Sequence, residues 1–237
     1  MNHTDIKMIV TDLDGTLLRD DKSISTRSET VIKQLRNSGI LFVVATARPI
    51  RAVKTFLPWV SYDAAIFHNG AVVMDHEILL NNLGIKNPKK IVNAILNDKP
   101  DYKIAVESND VMYSNFDAGE IWPGIDYIKT SDFKELEHSY AEKIIVDAHS
   151  IEEMNALEKY ITEDLYLLLS ENCIVTIHNT RSTKMNGIKS LAERYDISPS
   201  QIVAFGDDYN DIDMLKSCGI GVAVENALSE VKKPQTK

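Results

Sequence analysis

The sequence predicts an α/β protein whose parallel-sheet core is interrupted by an inserted α+β domain. The first eighty residues alternate short, continuously apolar runs with helical patterns, and the same alternation returns after Ser182. Between about Leu83 and Arg181 the pattern changes to closely spaced strands with turn residues between them. Strands that lack polar alternation are buried on both faces, as in a parallel sheet covered by helices. The predicted division is therefore 1–82 plus 182–237 for the core and 83–181 for the insert.

Lys7–Thr11 is apolar and ends in Asp-Gly turn chemistry, so it reads as the first strand. Thr26-Arg27-Ser28-Glu29 is a T-x-x-E capping box, with Ser25 an equally suitable cap; Val31, Ile32 and Leu35 give the apolar face, and Gly39 the stop. Ile40–Ala45 is a second buried strand, Pro49 suits the first turn of a helix running to about Leu57, and Ala64–Phe67 is a third strand. In the insert, Ile91–Leu96 and Met154–Ile161 read as helices. Lys103–Ser108, Val111–Ser114, Lys143–Ala148, Leu165–Leu169 and Cys173–His178 read as strands. The core grammar resumes with helix Met185–Tyr195, strand Gln201–Phe205, helix Asn210–Ser217 and strand Ile220–Val224.

Composition narrows the function classes. The chain has 237 residues, 44% hydrophobic and 26% charged, with a formal charge of -9. That is ordinary for a globular protein, while net negative charge argues against nucleic acid or an anionic membrane as partner. Two cysteines, Cys173 and Cys218, are too few for a disulfide framework and read as buried thiols in a reducing compartment. The longest apolar stretch, Ile40 to Ala47, falls far short of the ~20 residues a membrane helix needs. The expectation is a cytoplasmic protein with no targeting segment, and no motif specifies an oligomeric state.

Four polar clusters fall at the C-terminal ends of predicted strands, where open α/β sheets place their ligands. They are Asp12-Leu13-Asp14-Gly15-Thr16, Thr46-Ala47-Arg48, Asn69-Gly70 and Gly206-Asp207-Asp208-Tyr209-Asn210-Asp211; Lys184 opens the helix before the last strand. Asp12, Asp14, Asp207 and Asp211 would bring up to four carboxylates together, which is costly unless a cation is present. Oxygen-only donors without His or Cys suit Mg²⁺ rather than zinc. Lys184, Thr46 and the backbone N–H groups around Gly15 supply charge and donors for an anion, which makes a phosphoryl-transfer site. Asp12 at the strand tip can attack phosphorus. The Asp-Gly turn can bring the Asp14 carboxyl back over the site, where its pKa should rise beside Asp12. Taken singly, Asp14-Gly15 is a common turn and Gly206-Asp207-Asp208 a helix cap; their order and their shared rim favour the chemical reading.

These residues resemble the haloacid dehalogenase-like superfamily of phosphohydrolases. Asp12-Leu13-Asp14-Gly15-Thr16-Leu17 is similar to its first motif, Thr46 to its second, Lys184 to its third and Gly206-Asp207-x-x-Asn210-Asp211 to its fourth. The spacing, with Val44-Ala45-Thr46-Ala47-Arg48-Pro49 and Asn69-Gly70-Ala71, resembles the Cof-like branch, which inserts its large α/β cap between the second and third motifs. The resemblance implies a Rossmann-like core with an inserted cap that sets substrate specificity. It implies Asp12 as nucleophile, Asp14 as general acid and base, and Thr46 and Lys184 holding phosphoryl oxygens. Mg²⁺ would be held by the Asp12 carboxylate, the Asp14 backbone carbonyl and Asp207, with Asn210 and Asp211 in support.

The resemblance also implies that Arg48 and Asn69 face the cap and touch substrate. Two departures stand out. The family usually has glycine after its motif-three lysine, where this chain has Met185. Members also continue through a further strand and helix beyond the position of Asn226-Ala227, which predicts a frayed or otherwise covered sheet edge here.

The leading expectation is a Mg²⁺-dependent phosphomonoesterase acting on a small phosphorylated metabolite. The alternatives are a phosphomutase on the same core and a phosphometabolite-binding protein without turnover. Glu107, His178 and Arg181 join Arg48, Asn69 and Gly70 as candidates for substrate contact, His178 because it closes an apolar strand near the return to the core. Tyr113, Trp122 and Tyr127 suit either a ligand pocket or the insert's own core.

Overall fold

In the computed structural model, which describes residues 5–56, 62–136, 139–170 and 174–233, the early apolar runs become strands because both of their faces find cover. Val43 and Ala45 enter one core with Met8, Val10, Ala64 and Ile66. Their neighbours Phe42 and Val44 enter another with Leu13, Ala65 and Phe67. The elements in order are β1 (Met8–Thr11), α1 (Thr26–Asn37), β2 (Leu41–Ala45), α2 (Ile50–Phe56), β3 (Ala64–Phe67), β4 (Val72–Asp75) and β5 (Ile78–Asn82). The inserted stretch supplies β6 (Ile85–Lys86), α3 (Pro88–Asp98), β7 (Ile104–Ser108), β8 (Val111–Ser114), β9 (Ile128–Lys129), β10 (Tyr140–Ala141), β11 (Lys143–Val146), α4 (Ile151–Leu157), β12 (Leu165–Ser170) and β13 (Ile174–Asn179). The chain then closes with α5 (Lys184–Tyr195), β14 (Ile202–Gly206), α6 (Ile212–Ser217) and β15 (Ile220–Ala223).

Two compact units result, Met1–Asn82 with Thr183–Lys237, and Leu83–Ser182. The first holds a seven-stranded sheet in the order β15-β14-β1-β2-β3-β4-β5. The run from β15 to β3 is parallel, and β1 is the strand from which the order departs in both directions. Polypeptide leaving β1 and β14 therefore parts at a topological switch point, the place where α/β sheets leave a crevice.

The sheet is not wholly parallel: β4 and β5 run antiparallel to their neighbours. The links are too short for a crossover, which needs a dozen residues or more. His68, Asn69 and Gly70 make one tight turn, and His76 with Glu77 makes the other. Ser25, not the Thr26 box, caps α1 by accepting the Ser28 N–H, and Val31 is exposed while Ile32 is the buried residue of that helix. Cys218 is buried; Cys173 and Leu57 lie outside the described residues. No described helix is long and apolar enough to cross a membrane.

The second unit is a six-stranded sheet in the order β12-β13-β11-β7-β8-β9, antiparallel except for β8 with β9. Val92 and Ile95 of α3 and Leu157 of α4 pack with Ile104, Val106, Ile144, Val146 and Ile177 into one core. His178 alternates to the other face, where Nε2 lies 3.0 Å from Thr176 Oγ1 and the ring stacks on Tyr166 with centroids 5.3 Å apart. Burial, with the nearby Lys143 charge, pushes its pKa from 6.5 down to about 3, so the imidazole is neutral at pH 7.

That burial links stability to pH. The unfolded chain takes up a proton at this site below pH 6.5 while the folded chain does not, so stability present above 6.5 is lost as pH falls toward 3. At 1.36 kcal/mol per pH unit for one proton, the loss by pH 5 is about 2 kcal/mol. Urea midpoints at pH 7 and pH 5 should show His178→Gln losing about 2 kcal/mol less across that interval than the parent; equal losses would exclude a buried neutral imidazole.

Candidate active site

Asp12 follows β1 directly, and its N–H donates to the Phe205 carbonyl of β14 at 3.0 Å, which pins the loop to the switch point. Lys184 is the first residue of α5, whose N-cap Thr183 accepts the Asn186 N–H at 3.1 Å. From there the ammonium donates to Asp12 Oδ1 and to Asp211 Oδ1, both at 2.6 Å, with Lys184 only 1% exposed. Asp211 turns its other oxygen to the N–H groups of Asp207 at 2.9 Å and Asp208 at 3.1 Å. Asp207 in turn accepts the Thr16 hydroxyl at 2.6 Å. Three motifs far apart in sequence thus lock onto one another through charge-assisted bonds.

The charges do not balance, since three carboxylates face one ammonium. Burial first, then the charges of Asp211 and Asp207, raise Asp12 from 3.8 to about 7 against the opposing pull of Lys184. Asp207 is also raised, by burial and then by Asp211 and Asp208, although its bond from Thr16 works against this. Burial alone would lower the Lys184 pKa, but Asp12 and Asp211 outweigh it and the pKa is raised.

Asp14 behaves differently from expectation. Its carboxylate meets Arg48, with Nη2 donating to Oδ1 at 2.6 Å and Nε to Oδ2, and meets Lys22 Nζ at 2.8 Å. Its pKa is lowered rather than raised, because bonds and charges from Arg48 and Lys22 overcome partial burial. The fourth carboxylate therefore stands at the open rim with two cations. The turn that carries it also carries Gly15, at φ +77, where a Cβ would lie 2.3 Å from Asp207 Oδ2.

The remaining residues join the loops together. Thr46, 1% exposed, accepts the Arg48 N–H at 3.1 Å, and its carbonyl accepts the Asn69 N–H at 3.0 Å. Asn69 sits at φ 56 and accepts the Asn210 side-chain amide at 3.0 Å, bridging the loops after β3 and β14. Gly70, at φ +105, lets the backbone approach Thr183: a Cβ there would lie 2.1 Å from the Thr183 carbonyl oxygen. Asn69 and Gly70 are thus brought to the site as braces. His178, Glu107 and Arg181 belong to the second unit, where Glu107 is buried beside Lys143 in the β7–β11 register.

A family model described as haloacid dehalogenase-like hydrolase matches residues 9–236. The chain belongs to the haloacid dehalogenase-like hydrolases. Several of its relatives are named 5-amino-6-(5-phospho-D-ribitylamino)uracil phosphatase. YitU of Bacillus subtilis is 25% identical, over 95% of this chain and 89% of that one. YbjI of Escherichia coli is 27% identical, over 95% and 88%. Among solved structures, BT1666 from Bacteroides thetaiotaomicron, studied among phosphatases of the haloalkanoate (HAD) superfamily, has TM-score 0.84 and 25% identity over 98% and 88% of the two chains. TM0651 from Thermotoga maritima has TM-score 0.83 and 26% identity over 96% and 90%.

A divalent cation fits the donors this hydrolase presents. One oxygen each from Asp12, Asp207 and Asp211 lie within 4.8 Å of one another. The Asn210 Oδ1 atom, next in chain to Asp211, is buried with no hydrogen-bond partner among the described residues. An oxygen-only set with excess negative charge matches a hard cation such as Mg²⁺. Sequence reasoning passed over three residues that build the site: Thr16, which fixes Asp207; Lys22, on Asp14; and Asn226, whose amide donates to the Gly15 carbonyl at 2.7 Å. Thr16 lay inside the first motif; Lys22 and Asn226 carry no local signal.

Gly70 offers a direct check on how the hydrolase places Lys184. Gly70→Ala should cost about 2 kcal/mol through positive φ and the collision with Thr183. Turnover per folded molecule should fall at least roughly tenfold as α5 shifts, a loss of about 1.4 kcal/mol at the barrier. Urea unfolding with kinetics on the folded fraction measures both, and an unchanged midpoint would contradict the close approach.

Proposed function

We propose that this haloacid dehalogenase-like phosphatase is a cytoplasmic, Mg²⁺-dependent phosphomonoesterase that hydrolyses a small phosphorylated metabolite through an aspartyl-phosphate on Asp12. The observation that carries this reading is the buried Lys184 ammonium bonded to Asp12 and Asp211 beside Asp207. Such a cluster has an anion's counter-charge on one side and a cation's ligands on the other. Asp12, Asp207 and the Asp14 backbone carbonyl would hold Mg²⁺, with Asn210 beside them and Asp211 anchoring the loop. The bound ion would neutralise phosphoryl oxygens and favour the ionised form of Asp12.

In the first half-reaction an Asp12 carboxylate oxygen forms a bond to phosphorus as the bond to the ester oxygen breaks. Asp14 delivers a proton to that departing oxygen. In the second, Asp14 takes a proton from water, the water oxygen bonds to phosphorus, and the Asp12–phosphate bond breaks to release phosphate. Lys184 and the Thr46 hydroxyl hold the non-bridging oxygens throughout. Mechanistically this asks Asp14 to cycle its proton while Lys184 keeps its own.

The leaving group is read by the inserted unit, Leu83–Ser182, in this proposal. The relatives named for a phosphoribityl-aminouracil support a sugar or polyol phosphate as the substrate class. Hydrolysis of p-nitrophenyl phosphate with Mg²⁺ tests the mechanism. EDTA should abolish turnover and restored Mg²⁺ should return it, while Asp12→Asn should lower kcat by roughly 10³-fold or more. Turnover that survives the Asp12 substitution would overturn the nucleophile assignment.

A further inference from the structure

The donors assigned to the cation come from two loops. Asp12 and the Asp14 carbonyl stand after β1, and Asp207 stands after β14. Mg²⁺ tolerates little departure from octahedral geometry, so the spacing between those loops decides how well it is held. Gly15 is the loose joint in that spacing. A Cβ there would lie 2.3 Å from Asp207 Oδ2, so the position excludes a side chain. Glycine leaves the peptide groups on either side free to turn, and one of them carries the Asp14 carbonyl. Thr16 ties the same turn to Asp207 Oδ1 at 2.6 Å, but that bond joins two side chains and moves with their rotamers.

The segment after β15 supplies a firmer tie. Val224 N–H donates to the Gly206 carbonyl at 3.2 Å and Leu228 N–H to the Asp207 carbonyl at 3.0 Å, which anchors both ends of the segment to the start of the β14 loop. Between them Ala227 N–H donates to the Val224 carbonyl at 3.0 Å, closing a tight turn with Glu225 and Asn226 at its tip. From that tip the Asn226 amide donates to the Gly15 carbonyl at 2.7 Å. Ala227 and Val231 are buried in the core beneath the sheet, so backbone bonds and apolar packing hold the segment without help from the Asn226 side chain. Asn226 itself is exposed, and one neutral hydrogen bond there adds little to stability. What it does control is a backbone atom of the joint.

On the assignment above of Mg²⁺ to Asp12, the Asp14 carbonyl and Asp207, we propose that Asn226 is a positioning residue for the metal site. By holding the Gly15 carbonyl to a turn anchored on Gly206 and Asp207, it fixes the two donor loops at one spacing. Asn226 acts through Gly15 and is not a ligand itself. Its loss lets the loops sample other spacings, which weakens cation binding and spares the chemistry of the loaded site.

The thermal midpoint of the full chain, followed as Mg²⁺ is added, reads cation affinity without turnover, because binding to the folded state alone raises the midpoint with concentration. Asn226→Ala should need about tenfold more Mg²⁺ for the same rise. Its metal-free midpoint should stay within about 3 °C of the parent. Hydrolysis of p-nitrophenyl phosphate should need about tenfold more Mg²⁺ for half its maximal rate, with most of the parent kcat returning once Mg²⁺ saturates. Asn226→Gln, which keeps the amide, should recover part of the affinity. An unchanged Mg²⁺ dependence, a loss of kcat that excess Mg²⁺ does not restore, or a metal-free midpoint far below the parent would each overturn the proposal. A parent that does not respond to Mg²⁺ removes the cation assignment and the proposal with it, whereas a responsive parent matched by Asn226→Ala removes the role of Asn226 alone.

Discussion

The ammonium of Lys184 between Asp12 and Asp211 is the contact on which the rest of the site is arranged. A lysine at 1% exposure is tolerable only because two carboxylates meet it at 2.6 Å. Each partner has a second duty. Asp12 directly follows β1, and Asp211 spends its other oxygen on the backbone of Asp207 and Asp208. Removing the ammonium would leave two buried carboxylates in mutual repulsion and would also free the loop that aims Asp207. Gathering the charged side chains and folding the loop are thus one problem, solved by one charge.

Around this contact the polar groups sort into two territories. The buried one, Asp12, Asp207, Asp211 and Lys184, carries surplus negative charge, and its carboxyl pKa values rise where shifts are resolved. The rim territory of Asp14, Arg48 and Lys22 carries surplus positive charge, and there the carboxyl pKa falls. Two aspartates separated by a single leucine thereby acquire opposite acid–base character from their surroundings. Strand alternation alone would put residues 12 and 14 on one face; both lie beyond the end of β1, where the turn through Gly15 brings the chain against Asp207.

Much of this was legible in the sequence, for a physical reason. C-terminal ends of neighbouring parallel strands lie on one rim, so Asp12, Thr46 and Asp207 could be placed together from their strands, with Lys184 added at the start of the helix that leads into β14. The antiparallel strands β4 and β5 were missed because Val72–Asp75 and Ile78–Asn82 read as more apolar sequence, and only link length betrays their direction. The fall in the Asp14 pKa, where a rise is expected from Asp12, is not legible in the sequence because its partners Lys22 and Arg48 come from two separate loops. Asn69 and Gly70 read as ligand contacts in the sequence because they stand at a strand end. The structure shows that positions there also serve to join neighbouring loops, and nothing in a single sequence separates these two uses.

The ends of the inserted unit carry a consequence for how such a chain can diverge. Ser182 Oγ donates to the Leu83 carbonyl at 2.8 Å, so the unit enters and leaves through two strands of polypeptide tied side by side. A module whose ends meet places almost no constraint on its host. It can be lengthened, repacked or exchanged while Thr183 goes on capping α5 and Lys184 keeps its place. The two units can thus change at different rates, because the core's own contacts do not pass through the insert's interior.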